Sequence, residues 1–236
     1  QNMTANQIYE SGKTIAGELT KIGINMNLAP VADLASDQNP SYAMRCLGSD
    51  ADGVADLLDD FVSGMREGGL SVTLKTFPGI GNVSADVTES IAENTDSLMT
   101  IRDTNFVPYA SGIQAGADCV MVSNVAYSKL TVKKVPAFMS QDIVTKLLRE
   151  ELGFDGIVMT SPLNDNVIEN NYTNEFAVVE AVKAGCDLIV LPGNFKECYE
   201  ALITAVEEGR IDEKVINTSV RRILQNKIQR GILVLE

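Results

Sequence analysis

Residues Leu74-Lys75-Thr76-Phe77-Pro78-Gly79-Ile80-Gly81-Asn82 decide the reading of this chain. Residues 71–77 form a short run of apolar and β-branched side chains, as a parallel strand covered on both faces requires. Pro78 and Gly79 then impose a turn that few other residues allow. Lys75 stands near the end of the strand. A lysine in that position seldom lacks a ligand or a carboxylate partner, so a ligand contact and a structural ion pair are both open. Gly79-Ile80-Gly81 is too short for a dinucleotide fingerprint, and there is no P-loop, so no nucleotide cofactor is implied.

Outward from this stretch, short apolar runs alternate with helical patterns, the signature of βαβ units. The strand candidates are 22–31, 71–77, 118–124, 156–160 and 187–191. Amphipathic segments lie at 4–21, 51–67, 96–115, 140–151, 174–184, 195–208 and 212–229. Pro108 is expected to divide or kink the third of these. Asp212 and Gly231 bracket the last as cap and stop. No low-complexity linker or short internal repeat interrupts residues 1–236, so one α/β domain is expected. Five strands do not close an eight-stranded barrel.

The 236 residues carry a net charge of −13 and contain no histidine. Phosphate binding relies on clustered Lys and Arg, and no such cluster is present, so nucleic acid is not an expected partner. No apolar run approaches the roughly 20 residues of a membrane span, and no secretory signal opens the chain. Gln1 is not an initiator. Localisation is therefore open, an extracellular or cell-surface position being compatible with a signal already removed. Cys46, Cys119, Cys186 and Cys198 have no paired spacing. With no His and no CxxC, no metal site is expected. Cys119 and Cys186 lie in or beside apolar runs and read as buried, inert thiols. The absence of Trp argues against a broad aromatic platform. Asn82-Val83-Ser84 and Asn171-Tyr172-Thr173 fit the glycosylation acceptor pattern, a weak match.

The other informative residues follow the strands. They are Asn27-Leu28-Ala29-Pro30-Val31-Ala32-Asp33, Arg45-Cys46-Leu47-Gly48-Ser49-Asp50, Ser84-Ala85-Asp86-Val87-Thr88 and Ile157-Val158-Met159-Thr160-Ser161-Pro162-Leu163. Asp33 reads either as orienting a ligand-binding side chain or as a turn acceptor. Ser49 or Asp50 reads as a cap for the helix that starts near Ala51.

In this order, along nearly the whole chain, these stretches resemble glycoside hydrolase family 3, in its β-N-acetylhexosaminidase branch. The resemblance implies a TIM-like (β/α) barrel, incomplete at the N-terminus because the family's opening βα units have no counterpart here. It implies a sugar site at Arg45 and Lys75. It also implies a catalytic centre at Asp86, Thr88 and Ser161, where the family carries an Asp–His acid/base dyad and an Asp nucleophile. Thr76, Ile80, Asn82 and Asn124 stand where the family has His, His, Asp and His. Pro136-Ala137-Phe138-Met139-Ser140 resembles the family's Pro-Ala-x-Leu-Ser, with Ser140 as a helix N-cap.

A threonine hydroxyl does not shuttle protons at neutral pH. A retaining glycosidase needs two carboxyl groups about 5–5.5 Å apart, and neutral Ser161 supplies neither charge nor nucleophile. Without His, no triad can activate it. The expectation is a family-like protein with impaired hydrolysis that retains a cleft for an N-acetylhexosamine-containing saccharide. One alternative is an active glycosidase that uses displaced acids, Asp86, Glu89 or Asp165. Another is an interaction module whose exposed barrel edges are covered by a protein partner or by self-association.

Overall fold

Four strands run parallel in one sheet, in the order in which the chain makes them, with helices between them. The computed structural model describes residues 3–81, 83 and 86–234. Asn82, Ser84 and Ala85, singled out above, lie outside the described residues. Helix α1 (Ala5–Lys21) leads to β1 (Met26–Asn27), α2 (Pro40–Ala43), α3 (Ala51–Glu67) and β2 (Ser71–Phe77). Next come β3 (Glu93–Asn94), α4 (Leu98–Asp103), α5 (Phe106–Gln114), β4 (Cys119–Val122) and β5 (Ala126–Tyr127). A 3-10 turn at Ala137–Met139 and a π-helix at Asp142–Glu151 precede β6 (Ile157–Thr160). Then follow α6 (Asn166–Glu169), α7 (Asn174–Ala184), α8 (Phe195–Glu207) and α9 (Glu213–Gln229). The sheet order is β1-β2-β4-β6, and β3 pairs separately with β5.

Most helix boundaries follow from capping. Thr4 accepts the Gln7 amide while Gln7 reaches back to Thr4, closing a capping box on α1. Asp50 caps α3 through the Gly53 amide, Thr173 caps α7 through the Phe176 amide, and Asp212 caps α9 through the Lys214 amide. Residues 96–115 form two helices, broken at Thr104 and Asn105, and Pro108 sits in the first turn of the second, where a missing N–H is tolerated. Residues 140–151 depart from the expected α-helix: Asp142–Glu151 is wound as a π-helix, with Ser140 before it in extended backbone. The Ser140 carbonyl accepts the Ile143 and Val144 amides.

One expected strand is reduced to two residues and another does not form. Only Met26–Asn27 of 22–31 pairs as a strand, because Gly23 turns at positive φ and Pro30 lacks a donor. Val31 rejoins the sheet through a single bridge to Lys75. Residues 187–191 form no strand. Leu188 makes one parallel bridge to Met159, and the Asp187 carboxylate takes the Val158 amide that a neighbouring carbonyl would otherwise accept.

Alternate strand residues face opposite sides, since the side-chain period is two. Val72, Leu74, Val120, Val122 and Val158 join the helices in the main core. Cys119, Met121, Ile157 and Met159 face inward and pack with Met26, Leu188, Val190 and Ile223. Burial pushes the Cys119 thiol up to about 12, with Asp118 adding to the effect, so it is neutral and inert. Two acids clamp the N-terminal ends of the strands. Asp118 takes two bonds from Arg230, at 2.6 and 2.7 Å, one from Asn226 and one from the Val72 amide. Asp187 pairs with Arg149 and Arg222.

Helices α1 and α3 approach closely at Gly12 and Gly64. A Cβ at Gly64 would overlap the Tyr9 carbonyl oxygen. Gly64→Val should therefore destabilise the protein by about 1–3 kcal/mol through overpacking. Gly17→Ala, which meets nothing within 4 Å, should be neutral or stabilising by up to about 1 kcal/mol. Urea midpoints for the two variants check both signs.

Exposed apolar residues repeat at helical spacing on α8 (Phe195, Tyr199, Ile203) and on α9 (Val220, Leu224, Ile228). Among the described residues no helix is long and apolar enough to cross a membrane.

Candidate active site

Functional side chains of (β/α) barrels gather where strands end. Here the ends of β1 and β2 build one wall. Asp33, 1% exposed, accepts the Thr76 hydroxyl at 2.7 Å, the Thr76 amide at 3.1 Å, the Tyr42 hydroxyl at 2.5 Å and the Tyr109 hydroxyl at 3.0 Å. It is therefore an anchor for three segments rather than a local turn acceptor. Burial raises its pKa above the ordinary 3.8, against the pull of those hydrogen bonds. Tyr42, on α2, carries the Arg45 guanidinium 5.4 Å from its ring centroid, a cation–π contact.

Lys75 pairs in register with Met121 and shares its inward face. Lys75 is half-buried, and burial, then Arg45, push its pKa down while Asp33 opposes. No carboxylate among the described residues lies within 4.0 Å of Lys75 or Arg45. The structural ion pair left open for Lys75 is thus not made there. The turn beyond Phe77 needs glycine at Gly79: φ is 105°, and a Cβ would run into the Asn105 side chain.

The ends of β4 and β6 build the other wall. The Ser161 amide and hydroxyl both donate to the Val122 carbonyl, each at 2.9 Å, and the residue is 6% exposed. Asp86 and Thr88 are exposed, and the Thr88 hydroxyl and amide donate to Asp86 at 2.7 and 2.9 Å. Those two bonds hold the Asp86 carboxyl below its ordinary range. The same loop docks on the segment after β6. Val167 donates its amide to the Thr88 carbonyl at 2.7 Å, and Asn166 donates to Glu89.

Asp165 accepts the Asn124 amide at 2.9 Å. Its pKa is raised by burial, with the Asn124 bond opposing and the Asp86 and Glu89 charges adding. Arg45 and Lys75 therefore share one wall, and Asp86, Thr88, Glu89 and Asp165 share the other. Tyr42 and Tyr109, which hold the first wall together, carry no signal in the local sequence. A cavity of about 720 Å³ on the flank between α1 and α3 is lined by Ile8, Leu47, Val54 and Phe61 but by none of these residues. Among the described residues no group of three or more His, Cys, Asp or Glu is arranged to hold a metal.

Comparison with known proteins identifies the family of this fold. Residues 1–226 match the family profile of the glycosyl hydrolase family 3 N-terminal domain. A β-hexosaminidase of Xylella fastidiosa is 32% identical over 183 residues, which cover 78% of this chain and 54% of that protein. One from Stenotrophomonas maltophilia is 32% identical over 219 residues, covering 93% and 62%. The solved family 3 β-N-acetylglucosaminidase of Paenibacillus sp. superimposes with a TM-score of 0.93 at 34% identity, covering 99% of this chain and 46% of that one. The β-glucoside phosphorylase BglX shares the fold, with a TM-score of 0.91 at 22% identity. The chain spans about half the length of the first curated relative, 54%, and the expected partial barrel is what superimposes. Strand-end motifs in this order, on a parallel partial barrel matched over residues 1–226, place the chain in glycosyl hydrolase family 3.

Proposed function

We propose that this hexosaminidase-like barrel binds an N-acetylhexosamine-containing saccharide and does not hydrolyse it. The observation that carries the reading is Ser161. The side chain at the family's nucleophile position is a neutral hydroxyl bonded back onto the Val122 carbonyl. Retaining hydrolysis needs a carboxylate to attack the anomeric carbon and a second carboxyl group to protonate the leaving oxygen. Asp86 is poorly suited to be that acid, because the two Thr88 bonds hold its carboxyl below the ordinary range where a general acid needs a raised pKa. On this reading Arg45 and Lys75 contact the sugar, while Ser161, Asp86 and Thr88 line a centre that no longer turns over.

Titration calorimetry with N-acetylglucosamine and its β-linked oligomers, followed by product analysis of the same samples, tests this. Saturable binding without products is expected, together with turnover of an aryl N-acetylglucosaminide equal to buffer. Sugar binding unchanged in both Arg45→Ala and Lys75→Ala would defeat the binding site.

A second reading rests on Asp165, an acid of this wall that accepts the Asn124 side chain and that burial pushes toward its protonated form. It predicts products that vanish in Asp165→Asn, with Asp86→Asn and Glu89→Gln marking the other displaced acids. The apolar stripes on α8 and α9 favour an interaction module; a stable oligomer with no saturable sugar binding would support that instead.

A further inference from the structure

In a chain of net charge −13, helix α9 runs the other way. Lys214, Arg221, Arg222 and Lys227 stand there against Glu213 alone. Helix α3 is its opposite, with Asp52, Asp56, Asp59, Asp60 and Glu67 against Arg66. Among the described residues Lys214, Arg221 and Lys227 make no ion pair, and neither do Asp52, Asp56, Asp59 and Asp60. Each helix presents charge that its own chain leaves unanswered.

The apolar relief beside these charges matches as well. On α9, Val220, Leu224 and Ile228 are 45, 42 and 39% exposed and recur every four residues, a ridge bordered by Arg221 and Lys227. On α3, Gly53, Leu57 and Phe61 recur with the same period and line the cavity of about 720 Å³, together with Ile8, Leu47 and Val54. The row one position before them, Asp52, Asp56 and Asp60, is acidic. A ridge of four-residue period packs into a groove of the same period, at about 6 Å per step along both helices. The ridge cannot turn back into the groove of its own chain. Asn226 and Arg230 tie α9 to Asp118 under the strands, and Arg230 Nη1 meets the Arg66 carbonyl at the end of α3 away from the cavity.

We propose that the chain associates head to tail with a second copy of itself, α9 of one copy docking into the α1–α3 groove of the next. The mode is a helix laid in an apolar groove, with Arg221 and Lys227 facing Asp56 and Asp60 across its rim. The two surfaces differ, so the contact is heterologous, and growth is open-ended unless the copies close into a ring. Arg45, Lys75 and Ser161 line no part of the groove. The interface therefore goes beyond the saccharide reading and does not depend on it.

Sedimentation velocity of the full chain should show a weight-average mass that rises with concentration, less steeply as salt is added. Leu224→Asp, which would carry an unpaired charge into the groove, should weaken association by about tenfold or more. Charge reversal tests the orientation. The double variants Arg221→Glu with Lys227→Glu, and Asp56→Lys with Asp60→Lys, should each stay monomeric alone, because ridge and groove then repel. Mixed, they should associate, the reversed ridge of the first fitting the reversed groove of the second. Circular dichroism checks that these surface variants are folded.

A monomer at every concentration would overturn the proposal. So would oligomers that Leu224→Asp leaves intact, or a mixture of the two reversed variants that stays monomeric. Oligomers lost in the α9 variants but kept in the α3 variant would overturn the groove as the receptor. N-acetylglucosamine titrated into the same samples separates the two readings: association without sugar binding would defeat the saccharide site and leave this interface standing.

Discussion

Replacing Asp187 with alanine is expected to lower stability by about 3–5 kcal/mol, because it strips the carboxylate partner from the largely buried Arg149 guanidinium. The Asp187 side chain is fully buried, while those of Arg149 and Arg222 are 12% and 18% exposed. Arg149 Nη2 lies 2.6 Å from one carboxylate oxygen and Arg222 Nη1 lies 3.4 Å from the other. The first oxygen also accepts the Val158 amide at 2.9 Å. Alanine would thus strand a strand amide and the Arg149 charge, while Arg222 keeps its pair with Asp155 at 2.8 Å. Arg149 has few other ways to be satisfied: its remaining bonds go to the Phe154, Gly156 and Gly185 carbonyls, and burial already lowers its pKa. In a domain of this size the melting temperature should fall by roughly 6–20 °C, at about 2–4 °C per kcal/mol.

Glu67→Gln is the control. Its pair with Lys13 spans side chains 53% and 44% exposed, and exposed pairs contribute at most about 1 kcal/mol. Equal losses for the two variants would show that the clamp under the strands adds nothing special.

The elements that the sequence specifies locally are the ones that can be read from it. Ser71–Phe77, Ala51–Glu67 and Asn174–Ala184 have the bounds their patterns predict. Their stops and starts are set by neighbours in the chain, such as Asp50 for α3 and Gly185, left-handed at φ 110°, after α7. Segments whose state depends on a distant partner are not legible in this way. Residues 187–191 have a strand's composition, yet the Asp187 carboxylate takes the Val158 amide in place of a ladder carbonyl. Asp142–Glu151 has an amphipathic pattern that does not distinguish α winding from π winding.

The candidate site divides along the same line. Lys75, Arg45 and Ser161 stand out because they sit in strand-end motifs. The Asp33 cage stays hidden in the sequence because Tyr109 reaches it across 76 positions. Whether Lys75 had a carboxylate partner was equally invisible, since an ion pair is a distance between atoms and leaves no trace in spacing.

On the proposed reading of the centre as inert, Ser161→Asp should convert it into one that reacts once, giving close to one equivalent of fluoride from a β-configured N-acetylglucosaminyl fluoride. The argument separates the two carboxyl roles. Fluoride departs with its electron pair and needs no proton, so the missing general acid is irrelevant in the first step. The new carboxylate attacks the anomeric carbon, the C–F bond breaks, and a covalent glycosyl–enzyme ester forms. Hydrolysis of that ester needs a base to activate water. The acids of this wall include Asp86, exposed and bonded to Thr88, and Asp165, bonded to the Asn124 side chain. A burst followed by a slow phase is therefore expected, with the ester visible as a mass increase on the peptide containing residue 161.

An alkyl N-acetylglucosaminide, whose leaving group needs a proton, should stay slower by about 10²–10⁴, the usual worth of general acid catalysis. The Ser161 hydroxyl is turned toward the Val122 carbonyl; an ionised carboxylate cannot donate there and is repelled by that oxygen. Absence of a burst in a folded, sugar-binding variant would mean that position 161 does not face the anomeric carbon. In that case the proposed loss of hydrolysis would lie in the shape of the mouth rather than in one missing carboxylate.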